Sequence, residues 1–155
     1  ATNIRVIDMQ YVIDQNSYFI EFLKKIEKDQ SLYKNNFKNN EIDLQSELAR
    51  IEELKLILSN SELEKEIILY NDKLNNFNLE IEKFNMHYEE QINIKKNLIL
   101  NSVLEILKKY SLKNKIDLIL DSNNYILSSG SINITNIVLD ELNKKNIDTS
   151  FEKYN

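Results

Sequence analysis

Cysteine, proline and tryptophan are absent from this 155-residue chain, and glycine and histidine occur once each. Without cysteine there is no disulfide, no thiolate metal site and no cysteine nucleophile. The dinucleotide fingerprint and the Walker loop each need several glycines, so both are excluded. One Gly and no Pro also leave almost nothing for the tight turns of a multi-hairpin sheet. The lone His87 rules out a His-rich metal site. No stretch approaches the ~20 apolar residues of a membrane span, which speaks against stable insertion. No run of like charge exceeds two residues, and 25 acidic against 20 basic side chains give a net charge of −5. The basic stripe of a nucleic-acid binder is therefore missing.

What remains is 42% hydrophobic and 29% charged. The length suits one ordinary domain, and the composition suits a mostly helical, elongated chain. Ala1 at the start, in place of Met, fits removal of a signal peptide, as it would a recombinant start.

Residues 4–8 are β-branched-rich and read as a short strand, with Ile4 and Val6 on one face. Met9, Val12 and Ile13 then predict a short helical segment, and Asn16 or Ser17 can cap the helix that follows. From Ser17 to Leu58 the apolar spacing is helical, with Phe37, Leu44, Ile51 and Leu58 seven apart. Such a repeat presents one seam to a partner helix. Ser59-Asn60-Ser61 interrupts it, and Ser61 with Glu64 predicts a capping box opening a second helix over about 62–111. There Leu63, Ile67, Tyr70, Leu74, Phe77, Ile81, Phe84 and Tyr88 alternate spacings of four and three, the strongest periodic signal in the chain. Past Tyr88 the repeat loosens through Gln91 and Lys95 to Leu98. Two helices of matched length with a short break predict an antiparallel hairpin, its tip near 59–61.

After Lys113-Asn114-Lys115 the period becomes two. Ile116, Leu118 and Leu120 share a face, Ser122-Asn123-Asn124 reads as a turn, and Tyr125–Ser128 reads as a return strand. A last helix opens at Ile134-Thr135, with Ile137, Val138, Leu139 and Leu142 apolar. Residues 146–155 carry no evident pattern and read as a disordered tail. The expected class is thus α+β, mainly α. A small β-body is formed by 1–16 and 113–145, and a helical arm over 17–112 projects from it.

No constellation of catalytic or cofactor-binding residues survives. The pairs Glu52-Glu53 and Glu89-Glu90 diverge by about 100° around a helix and face no common atom. His87 flanks the seam without convergent ligands, and Asn133-Ile134-Thr135 reads as helix-start chemistry in place of a glycosylation site. The chain is expected to be no enzyme and to need no cofactor or metal. The apolar residues Leu56, Ile57, Ile68 and Leu69 lie off the strict repeat, on either side of the bend. They are either arm packing or a client-binding surface.

Three segments resemble the Skp (OmpH-like) family of periplasmic chaperones. Arg5–Val12 is similar to the family's opening strand and short helix. Lys115–Ser122 resembles its Ile-Asp-Leu-Val-Leu-Asp strand, and Ile134–Lys145 its closing helix. The resemblance covers about residues 3–145. It implies a homotrimer of the periplasm, assembled at a base of Ile4, Val6, Ile116, Leu118 and Leu120. It also implies arms that hold unfolded outer-membrane proteins without ATP. The open strand edges independently call for a partner chain. One departure stands out: the well-known relatives are strongly basic, whereas residues 17–112 carry 17 acidic and 14 basic side chains. Capture of anionic lipid or lipopolysaccharide is weakened by that sign. The rival readings are a prefoldin-like cytosolic chaperone and a coiled-coil scaffold without clients. The first is disfavoured because here the strands are terminal.

Overall fold

The computed structural model describes residues 1–155. The fold is α+β and about three quarters helical, with one two-stranded sheet. Strand β1 is Ile4–Ile7 and helix α1 Met9–Gln15; the long helices are α2, Ser17–Leu54, and α3, Asn60–Asn114. Strand β2, Leu118–Asp121, and helix α4, Thr135–Lys144, complete the order. Packing divides the chain into two compact units, residues 1–25 with 90–152 and residues 26–89 with 153–155. The boundaries fall inside the long helices and not at their ends, because the first turns of α2 and the last of α3 pack with the sheet's core.

In the first unit β1 and β2 pair in parallel, Ile4 opposite Leu118 through Ile7 opposite Asp121. The expected return strand does not form. Ser122–Asn124 makes the turn, but Tyr125–Ser128 is irregular, and Asn133 bridges β1 on its other side. Ile134 N–H donates to the Val6 carbonyl at 2.9 Å. Helix starts follow side-chain chemistry. Asp8 caps α1 at Tyr11, Asn16 caps α2 at Phe19, and Asn133 Oδ1 accepts from Thr135 N–H and Oγ1. The core joins Val12, Phe19 and Phe22 to Ile99, Val103, Val138 and Leu142, all essentially inaccessible. Helix α3 ends on a left-handed residue, Lys115 at φ 53°, and Ile116 N–H reaches back to the Ser111 carbonyl at 3.0 Å. That is a Schellman stop, normally given to glycine. The only glycine, Gly130, has ordinary φ and open space around its α-carbon.

The tail of this unit is ordered, contrary to the expectation of disorder. Ile147 and Thr149 are buried, and the Phe151 ring meets Phe22 edge-on at 6.0 Å. Phe22, which falls outside the heptad repeat, is accordingly core.

In the second unit α2 and α3 run antiparallel along the expected seam. Phe37 meets Phe77 and Phe84 with ring centroids 6.4 and 5.0 Å apart, and Tyr33 meets Phe84 at 5.8 Å. The bend comes one helical turn early, because α2 stops at Leu54. The cap of α3 is Ser59, not Ser61. Glu62 N–H donates to Ser59 Oγ at 3.3 Å, and Ser59 N–H to Glu62 Oε2 at 3.4 Å. This is a reciprocal capping box one dipeptide upstream of the expected one.

Candidate functional site

The seam residues are held by facing helices. Leu63, Tyr70, Leu74, Phe77, Ile81 and Phe84 are half-buried and Tyr88 is buried, while Ile67 sits at the seam's margin. A two-helix contact covers one stripe and leaves the rest of each surface to solvent. Tyr88 is the anchor. Its hydroxyl donates to the buried Asp29 carboxylate at 2.6 Å, and burial followed by that hydrogen bond pushes its pKa upward. Tyr154 completes an aromatic cluster with Tyr33, Phe84 and Tyr88, its carbonyl accepting from Tyr33 Oη at 2.8 Å. His87 packs edge-on to Tyr88 and Tyr154, more engaged than the flanking position expected for it.

Leu56 and Ile57 occupy the bend and are 92% and 79% exposed; Ile68 and Leu69, just over two turns into α3, are 53% and 54% exposed. The bend ends α2 before these residues can join its seam, and the α3 pair lies between seam positions Ile67 and Tyr70. All four therefore present apolar side chains outward. Ile42, Leu79 and Met86 do the same further along the second unit. Charge around this surface is mixed, with Arg50 bridging Glu47 and Glu66 at 2.7 Å to each. Their hydrogen bonds hold Glu47 below, and Arg50 above, its ordinary range.

The second apolar surface belongs to the first unit. Of the residues expected at a trimer base, Leu118 is well exposed, whereas Ile4, Ile116 and Leu120 are half-buried. Val6 is buried in its own chain, because β1 pairs with β2 and the 132–134 segment bonds to it at Val6. Three exposed residues escaped the sequence reasoning: Leu112 at the end of α3, and Ile126 and Leu127 in the irregular stretch after β2. A hairpin strand over Tyr125–Ser128 would hide one face of the Ile126-Leu127 pair; the irregular backbone there exposes both.

The sequence pattern of the family described as "Outer membrane protein (OmpH-like)" matches residues 3–142. The chain belongs to the OmpH-like family. No curated protein is similar enough in sequence to match. Among solved structures, an OmpH-like protein from Caulobacter crescentus, proposed there to be an outer membrane chaperone, superposes with a TM-score of 0.75. The identity is 11%, and the superposition covers 100% of this chain and 92% of that one. At that identity the likeness is one of fold. As a member of the OmpH-like family, the chain is not an enzyme. No helix of this OmpH-like chain is long and apolar enough to cross a membrane.

Proposed function

We propose that this OmpH-like chain is an ATP-independent holdase of the bacterial periplasm that binds unfolded outer-membrane proteins and keeps them from aggregating. Family membership and the chaperone reading of its Caulobacter neighbour support it. The observation that carries it is the outward apolar set Leu56, Ile57, Ile68 and Leu69, whose exposure helix pairing does not require. A scaffold without clients has no use for these side chains. Contacts of this kind scale with buried apolar area, at roughly 25 cal/mol per Å², and need no particular client sequence.

The assembly is a homotrimer whose base lies in residues 1–16 and 113–145, with 17–112 as the arm. Exposed Leu112, Leu118, Ile126 and Leu127 beside the short sheet support a covering partner chain. Leu118→Asp should dissociate the assembly, read by light scattering, because the carboxylate would lose water without gaining a partner. A wild-type chain that stays monomeric at micromolar concentration refutes the trimer.

The client test dilutes a urea-unfolded outer-membrane barrel into buffer with and without the chain and follows turbidity. The wild type suppresses aggregation. Ile57→Glu combined with Ile68→Glu loses most of that effect while keeping its mass. Capture should be nearly flat between low and moderate salt, since screening damps charge attraction beyond about 8–10 Å and leaves apolar burial untouched. Full protection by the double variant, or a steep salt dependence, removes this surface from the mechanism.

A further inference from the structure

The repeat of α3 carries polar residues at two seam positions, Gln91 and Lys95, and both are buried. Buried polar groups need partners. Here the partners are main-chain atoms of the tail. Lys95 Nζ donates to the Asp148 carbonyl, and Gln91 Oε1 accepts from Glu152 N–H at 3.0 Å. Lys25 Nζ adds a bond to Thr149 Oγ1 at 2.6 Å. Lys95 Nζ also sits 5.2 Å over the Phe22 ring, which Phe151 meets edge-on. Along the tail burial alternates: Ile147 and Thr149 are buried and Phe151 half-buried, whereas Asp148, Ser150 and Glu152 are exposed. Residues 147–152 therefore lie in their slot with the period-two pattern of an amphipathic strand.

Recognition through a carbonyl and an N–H leaves the occupant's side chains largely free to vary. Alternation of apolar and polar residues is also the signature of strands from outer-membrane barrels. The occupant lies beyond residue 142, where the family match ends, while Phe22, Lys25, Gln91 and Lys95 lie within it. We propose that this slot is a binding site for an extended, alternating polypeptide segment, held closed by the chain's own tail and opened to an unfolded barrel strand when the tail leaves. The identity of the partner rests on the holdase reading; the capacity of the slot to hold a peptide does not.

The test uses the full chain with Ile147→Asp and Phe151→Asp, which disfavours the tail in its slot, and a fluorescent peptide with the sequence of residues 146–152. In the wild type the tethered tail competes at high effective concentration. The double variant should bind the peptide at least about tenfold more tightly than the wild type, by anisotropy. A shuffled peptide that breaks the alternation should not bind. Equal, weak binding by both chains overturns the proposal and leaves the tail a structural strap.

A second measurement needs no substitution. In the wild type the Glu152 amide should be protected from hydrogen exchange, and saturating unfolded barrel protein should abolish that protection. A client held, by the mass of the complex, with Glu152 still protected overturns the slot as a client site and spares the holdase. No client held refutes the holdase reading, and the peptide titration still decides the slot.

Discussion

The two units keep helices together in different ways. In the first, α1, α4, the sheet and the adjoining turns of the long helices enclose side chains on all sides, so that Val12, Phe22, Ile99, Val103, Val138 and Leu142 reach no solvent. In the second, two helices share one stripe, and beyond Ile26, Ile51 and Tyr88 its apolar residues stay half-covered or exposed. The same residue types thus carry different weight in the two places. A closed core converts each apolar side chain into stability. A single stripe converts only part of each, and leaves apolar surface free for another molecule.

Phe19→Ala gives the largest effect, about 3–5 kcal/mol by chemical denaturation, because a fully enclosed ring leaves a cavity. Phe77→Ala removes a half-buried ring and should cost about 1–3 kcal/mol, below the range for an enclosed phenylalanine. Hydrogen exchange at Val103 and Val138 should stay unchanged in that variant. Equal losses from Phe19 and Phe77 would erase the distinction between the units.

The first unit also stores strain. Lys115→Gly should raise stability by about 0.5–1 kcal/mol, since a lysine at φ 53° pays a left-handed penalty that glycine avoids. Gly130→Ala should be neutral to slightly stabilising, having neither positive φ nor a neighbour to strike. The smallest effect is the most diagnostic. Ile57→Glu with Ile68→Glu should change stability by no more than about 0.5 kcal/mol, read from the denaturation midpoint, although it exchanges two large apolar residues for charges. A loss of several kcal/mol would place them in the packing of the hairpin.

The elements most legible in the sequence were those with long periodic signals. Helix α3 was plain from the spacing between Leu63 and Tyr88, and β1 from Ile4 and Val6. The bend was misplaced because Ser59-Asn60-Ser61-Glu62-Leu63-Glu64 contains two overlapping capping boxes. The chain uses the earlier one, which lengthens α3 by two residues. The strand after α3 was visible, but its partner was not. Alternation at Ile116–Leu120 reports a half-buried face, not whether a parallel or an antiparallel neighbour lies beside it. The tail was missed because its alternation spans only Ile147 to Phe151. Its receptors, Gln91 and Lys95, looked like defects in a heptad repeat when they are donors and acceptors set for a main chain. At the candidate site, Leu56, Ile57, Ile68 and Leu69 were found by being off the repeat, which is also why the structure leaves them outside.

The parallel pairing of β1 with β2 sets a timetable. Asn3 and Asp117, bonded at the start of the ladder, are 114 residues apart in the chain. As the polypeptide emerges from its N-terminus, Ile4-Arg5-Val6-Ile7 has no ladder partner until all of α3 has followed. Joining ends that far apart costs roughly 4 kcal/mol of loop-closure entropy. The hairpin over residues 26–89 closes from near neighbours and should form earlier, as low-contact-order pieces do. That shortens the remaining loop by rather more than half and relieves only about 0.6 kcal/mol of the cost. A β-branched strand therefore waits, unpaired, through most of the chain's emergence. It is the segment most exposed to mispairing during that interval. A molecule proposed to shield other chains in that condition passes through the same hazard on its way to being made.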